Sequence, residues 1–264
     1  MAITTIDGVI AGMRPPENLY KVGAATTVGR FYSPFYVAGL PGAATAPSPG
    51  LSGAALTTYS GALPWTNPSS GNSYLARLTG SCNVAGTLLL CDRLWHNSGI
   101  LVTSTASQTI NSATLPARDN NGTTYGEGVM VGAEVSTVMG AGTPTWTMVY
   151  LDSGGTTATV TSAAQSATMA VGSFIPMALA AGDTGVQKIV SWTQSATMTS
   201  GVYHLVAYRI IARLGLPVAN CDFSIDAVTS GFPRLYDDTV PFLLWLPATT
   251  TAPSLSAQFV VTQG

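Results

Sequence analysis

Residues 192–216 read WTQSATMTSGVYHLVAYRIIARLGL, and this stretch decides the fold class. A polar limb turns through Thr199-Ser200-Gly201. Then Val202, His204, Val206 and Tyr208 alternate with Tyr203, Leu205, Ala207 and Arg209. The second limb is apolar at nearly every position and rich in β-branched and aromatic side chains. That is the pattern of a strand covered on both faces. Such a strand needs neighbours, so much of the chain must be arranged to cover it.

Outward from this stretch the pattern repeats in shorter pieces. Tyr74–Cys82 alternates and turns through Asn83–Gly86 into Thr87–His96. Ile100–Thr105 and Gln108–Thr114 read as shorter strands, and Leu115–Gly122 as a loop of Pro, Asp and Asn-Gly. Gly128–Val138, Thr145–Leu151, Thr156–Thr161, Phe174–Leu179 and Val186–Ser191 come next, with hairpin signals at Asp152-Ser153-Gly154-Gly155 and Gly182-Asp183-Thr184-Gly185. Asn220–Asp226, Pro241–Trp245 and Ser256–Gln263 complete the set. Turn signals about every ten residues predict an all-β chain with a β-sandwich or jelly-roll-like body over residues 63–264. Gln165-Ser-Ala-Thr-Met169 recurs as Gln194-Ser-Ala-Thr-Met198, but two copies make no solenoid.

Residues 1–62 read as an extended, Pro/Gly-rich N-terminal arm. Pro15 and Pro16 force an extended backbone, and Pro34, Pro41, Pro47 and Pro49 punctuate the rest of the arm. One short helix is expected after Ser48-Pro49, weakened by Gly53. No charged residue lies between Arg30 and Arg77. Pro15, Pro16, Tyr20, Phe31, Tyr32, Phe35 and Tyr36 are the candidate contact residues of this arm. It lies either on another subunit's surface or over its own domain.

Composition narrows the function. Charged residues make up 8% of the 264 and hydrophobic ones 46%. A surface with so few charges is either painted with hydroxyls or largely covered by other subunits, and the second fits a permanent assembly, since interface centres are depleted in Lys, Glu and Asp. A homo-oligomer is expected on that ground. A net charge of −2 and no Lys/Arg stripe argue against nucleic acid as a partner. The N-terminus lacks the basic region of a signal peptide, and the apolar runs are too short to span a membrane. Cys82, Cys91 and Cys221 read as buried thiols, with a Cys82–Cys91 disulfide across the hairpin as the alternative.

No catalytic or metal motif stands out, and no cofactor is implied. His96 and His204 read as hydrogen-bonded structural histidines, and serines are too numerous to pair with them. Asp237-Asp238 reads as a turn, and Asp119-Asn120-Asn121 lacks the Glu that closes a calcium loop. A two-carboxylate site would have to come from Glu17, Glu127 and Glu134. Trp65, Trp95 and Trp146 are either packed or exposed to stack on sugars, the latter making the chain a carbohydrate-binding sandwich for host recognition. Arg209 and Arg213 call for partners, such as Asp222, Asp226 or a carboxylate on another subunit.

Five segments carry a family resemblance: ITTIDGVIAGMRPP at the start, LPARDNNGTTYGEGVMVGAEVS, VYHLVAYRIIARL, SGFPRLYDDTVPFLLWLP and the closing SAQFVVTQG. Together they resemble tailed-phage virion structural proteins, most closely a capsid decoration or cement protein. The resemblance implies a β-rich, often trimeric, non-enzymatic protein with the major capsid protein as partner. It would be assembled in the host cytoplasm and bound to the outside of the shell. A tail or head-tail adaptor component is the other role within that lineage.

Overall fold

The computed structural model describes residue 3 and residues 5–264. The chain is nearly all β and divides into two compact units. The first comprises residues 1–45, 57–92 and 210–264, and the second residues 46–56 and 93–209. The division falls inside two long strands, Gly86–His96 and Val202–Leu216.

In the second unit, Val202–Arg209 pairs antiparallel with the Val129–Thr137 strand, setting His204 opposite Glu134 and Leu205 opposite Ala133. Ser173–Pro176 adds to the far side of Val129–Thr137. A separate four-stranded sheet runs in the order Thr157–Thr161, Trp146–Asp152, Val186–Gln194, Gln108–Thr109. Inward side chains from both layers form one core, including Val131, Val135, Trp146, Met148, Tyr150, Ile189, Trp192, Tyr203 and Leu205. The indole N–H of Trp192 donates to the Tyr203 hydroxyl at 2.8 Å, and the Trp146 ring lies 4.8 Å from that of Tyr203. The two limbs of the 192–216 stretch therefore meet across the core.

The first unit is also two-layered. Its larger sheet has Ser73–Cys82 beside Ser254–Gln263, followed by Glu17–Val22 and Gly39–Leu40; Phe223–Asp226 and Arg234–Leu235 pair on the other side of Ser73–Cys82. The facing layer includes Pro241–Pro247 paired with residues 86–92. Leu75, Leu78, Leu88, Leu90, Leu214, Leu243, Trp245 and Phe259 lie between them.

The 202–216 strand changes character at the division. Tyr203 through Tyr208 are all buried, as the unbroken apolar pattern predicts. Ile210 is 42% exposed, Ile211 and Ala212 are buried, and from Ala212 to Leu216 burial alternates, with Arg213 and Gly215 outward. The second half is a one-faced strand.

Several sequence readings need correction. No helix follows Ser48-Pro49. Gly53 has φ +66°, and a Cβ there would collide with the Trp95 ring and the His96 carbonyl. The carbonyls that a helix would use are taken, Ser52 O by the Trp95 indole at 3.0 Å and Leu51 O by the Asn97 amide at 3.2 Å. Ala54-Ala55 pairs instead with His96 and Trp95. The helix in the N-terminal region is Ile6–Ala11, capped by Thr5, whose hydroxyl accepts from Gly8 N–H at 3.1 Å. Residues 17–22, part of the segment read as an extended arm, form a strand with Leu19 opposite Ala257 and Lys21 opposite Leu255.

Ile100–Thr105 is not a strand, because side chains satisfy its backbone. The Gln108 amide accepts from Leu101 N–H at 2.8 Å and donates to Leu101 C=O at 3.1 Å. Gln194 donates to Val102 C=O. All three cysteines are thiols; Cys82 and Cys91 are buried and Cys221 is exposed.

Candidate functional site

The chemistry-bearing side chains of the second unit converge on one buried cluster. The strand pairing that opposes Glu134 to His204 sets the first two members, and the 86–96 strand brings Arg93 and His96. An Arg93 guanidinium N–H donates to Glu134 at 2.7 Å, with both side chains 0% exposed. The other arm of the guanidinium donates from Nε to His96 Nδ1 at 3.3 Å. His204 Nδ1 lies 2.9 Å from the Asn97 carbonyl and Nε2 lies 2.8 Å from Ser136 Oγ. A carbonyl can only accept, so the Nδ1 carries the proton and Nε2 accepts from the Ser136 hydroxyl. Asn97 fixes this geometry from its other end: its side-chain oxygen accepts from Leu205 N–H at 2.7 Å.

Electrostatics keep both histidines neutral. Burial is the main cause for His96, with positive Arg93 adding to it, and lowers its pKa to about 3. Burial also lowers the pKa of His204. The arrangement is a buried polar network joining three strands. Ser136 and His204 have the spacing of a nucleophile and its base, a pairing that sequence spacing could not single out. Register supplied it, since Ser136 sits two residues from Glu134 on the same strand face.

The other candidates separate. The Asp119 carboxylate accepts from the N–H groups of Asn121, Thr123, Gly126 and Glu127 and from the Thr123 hydroxyl, at 2.6–3.1 Å. Burial would raise its pKa, but these bonds outweigh burial and hold it below the usual carboxylate value. It organises its own loop. Neighbouring Arg118 points inward and donates to Leu56 C=O at 2.7 Å. Glu134 is taken by Arg93, and Glu127 accepts from the Thr184 hydroxyl at 2.6 Å. Asp237-Asp238 lies in a turn, where Asp238 accepts from the Asn67 amide at 2.8 Å. Asp226 caps the short helix Ala227–Ser230. Among the described residues no group of three or more His, Cys, Asp or Glu side chains could hold a metal, and no helix is long and apolar enough to cross a membrane.

Trp95 and Trp146 are fully buried, so neither presents a ring to a sugar. Trp65 is half-buried, with its indole N–H on Asn67 at 3.0 Å, and lines a cavity of about 350 Å³ with Arg14, Pro15, Glu17 and Gln263.

The arm residues differ in what they present. Pro15, Pro16 and Tyr20 are exposed, Phe31, Tyr32 and Tyr36 are half-buried, and Phe35 is buried. Phe35 stacks on Tyr59 at 5.8 Å and meets Phe242 edge-on at 6.1 Å. It belongs to the interior of its own unit and is unavailable to a partner. Sequence reasoning missed Ile6, Ile10 and Met13, which are 75%, 60% and 48% exposed. Ile6 also lines an apolar cavity of about 370 Å³ with Ile3, Val9, Tyr74 and Phe232. The i, i+4 spacing of Ile6 and Ile10 in a capped helix was the available signal.

No family model matches the chain, and no curated protein matches it in sequence. Among solved structures, it has slight likeness to infectious bursal disease virus Gt strain, at 11% identity over 96% of this chain and 81% of that one, with a TM-score of 0.20. The VP2 subviral particle of the same virus gives 9% identity over 96% and 81%, with a TM-score of 0.20. The Gx strain gives 9% identity over 100% and 85%, with a TM-score of 0.21. Overlap this slight carries no argument about role.

Proposed function

We propose that this chain is a non-enzymatic structural protein of a virion that binds the outside of the capsid shell as a decoration or cement protein. Residues 1–62 supply the contact with the major capsid protein. The observation that carries this reading is where the apolar surface lies. Ile6, Ile10, Met13, Tyr20, Val22, Val28 and Leu40 are each about half exposed or more, within thirty-five consecutive residues. An exposed apolar concentration in a chain with 8% charge marks a surface that another protein covers. Self-association and assembly in the host cytoplasm belong to the same reading.

Co-sedimentation with purified shells tests it. The double variant Ile6→Asp/Ile10→Asp is predicted to lose at least about a hundredfold in shell affinity, the scale of two buried aliphatic side chains. Unchanged binding by a folded variant would remove the N-terminal segment from the contact. Electron microscopy of virions labelled on this protein separates the readings by position. Label over the head supports decoration, and label on the tail supports the tail or adaptor role.

A further inference from the structure

The four-stranded sheet of the second unit ends on an exposed edge strand. The Thr157–Thr161 strand lies at the end of the four-stranded sheet and, among the described residues, pairs only with Trp146–Asp152. Two bonds determine which backbone groups face that partner. Asp152 N–H donates to Thr156 C=O and Ser162 N–H to Trp146 C=O, each at 2.8 Å. Antiparallel pairing alternates, so residues 156, 158, 160 and 162 direct their backbone groups inward. Thr157, Thr159 and Thr161 therefore direct theirs away from the sheet, and all three residues are exposed.

Soluble proteins protect such an edge with Lys, Pro, a bulge or a covering loop. This strand reads TATVT, with neither charge nor proline from Ser153 to Ile175, and its pairing with Trp146–Asp152 has no bulge. We infer that the Thr157–Thr161 edge pairs antiparallel with the same strand of a second copy, about a two-fold axis at Thr159. The strand is complementary to itself in that register. Thr159 faces Thr159 and Thr157 faces Thr161, each threonine giving one N–H and accepting at one C=O. Threonine pairs across strands are favourable, and Thr161 already bonds Thr147 hydroxyl to hydroxyl at 2.9 Å on the inner side. Ala158 and Val160 are half-buried against the core edge. The second copy's Val160 and Ala158 would continue that layer. No charge meets like charge in the pairing. The inference stands without the virion reading, because it needs only the edge.

Light scattering on the purified chain tests it, with Thr159→Pro and Thr159→Lys as variants. Proline is tolerated where the N–H already points outward, and lysine sets two like charges across the axis. The wild type should have the mass of an even number of 27.1 kDa chains, and each folded variant should have half that mass. In the wild type the Thr157, Thr159 and Thr161 amides should exchange slowly, and in the variants fast. If the proline variant loses its folded tryptophan fluorescence, the lysine variant decides. A monomeric wild type at about 100 μM, well above the Kd range of stable pairs, overturns the proposal. So does an oligomer whose mass the folded variants leave unchanged, which would place another surface at the contact.

Discussion

Arg93 and Glu134 form an ion pair at 2.7 Å from which water is wholly excluded. The two side chains come from strands widely separated in sequence, so each charge depends on the other's being in place. Removing one partner leaves the second buried and uncompensated, at a cost of about 3–5 kcal/mol. Glu134→Ala should therefore lower the unfolding free energy by that amount in a denaturant titration. Replacing both residues with apolar side chains of similar volume should recover most of the loss. A Glu134→Ala cost below about 1 kcal/mol, the range of exposed pairs, would mean that water reaches the pair.

The same cluster sets an acid limit. His96 has a folded pKa of about 3 against an ordinary 6.5, and that of His204 is lowered in the same direction. Between these values the unfolded chain binds protons that the folded chain refuses. The contribution of these histidines to stability is therefore complete above about pH 6.5 and is lost as pH falls toward 3. Thermal melts across that range should show the decline. His96→Gln, which has no proton to gain, should have a shallower acid slope even if it melts lower at neutral pH. An unchanged slope in this variant would assign the acid response to other groups.

Lys21 is an internal cation held by carbonyls. Its ammonium donates to the carbonyls of Val37, Pro41 and Gly42 at 2.7, 2.5 and 3.2 Å, and the residue is 2% exposed. It ties the Glu17–Val22 strand to the following loop. Lys21→Met should leave those carbonyls unsatisfied and destabilise the fold by about 1–3 kcal/mol. Burial lowers the Lys21 pKa from 10.5 to about 8. The unfolded chain then holds the extra proton between pH 8 and 10.5, so this group makes stability rise with pH in that window. The rise should be absent in Lys21→Met.

Ser136 and His204 provide a direct check on the non-enzymatic reading. A fluorophosphonate probe should not label Ser136, because the hydroxyl serves to satisfy a buried imidazole. Mass spectrometry would locate any adduct. Labelling at Ser136 that His204→Ala abolishes would make the pair a working nucleophile and base.

By itself the sequence determined the class of fold and most of its long strands. The alternation of 74–82 largely matches burial because the strand places its apolar side chains on the covered face, while 87–96 is apolar on both faces and buried from Leu88 to His96. The hairpin at Asp152–Gly155 was legible from its turn residues, and the Asp152 carboxylate accepts from Thr156 N–H there at 2.7 Å. The unbroken apolar run from Tyr203 was enough to place it in the interior.

Tertiary structure alone decided what periodicity cannot encode. Glu17–Val22 (ENLYKV) lacks an alternating apolar pattern and becomes a strand through pairing with residues 254–259, far away in sequence. Gln108 replaces a ladder partner for Leu101, so an apolar segment stays a loop. Arg93, His96, Glu134, Ser136 and His204 are ordinary residues along the chain. They form a cluster because register places 134 against 204 and the 86–96 strand brings Arg93 and His96 alongside. Hydrophobic patterning is local and survives in one dimension. Partnership between buried polar groups depends on which strands meet, and that is fixed only when the sheets close.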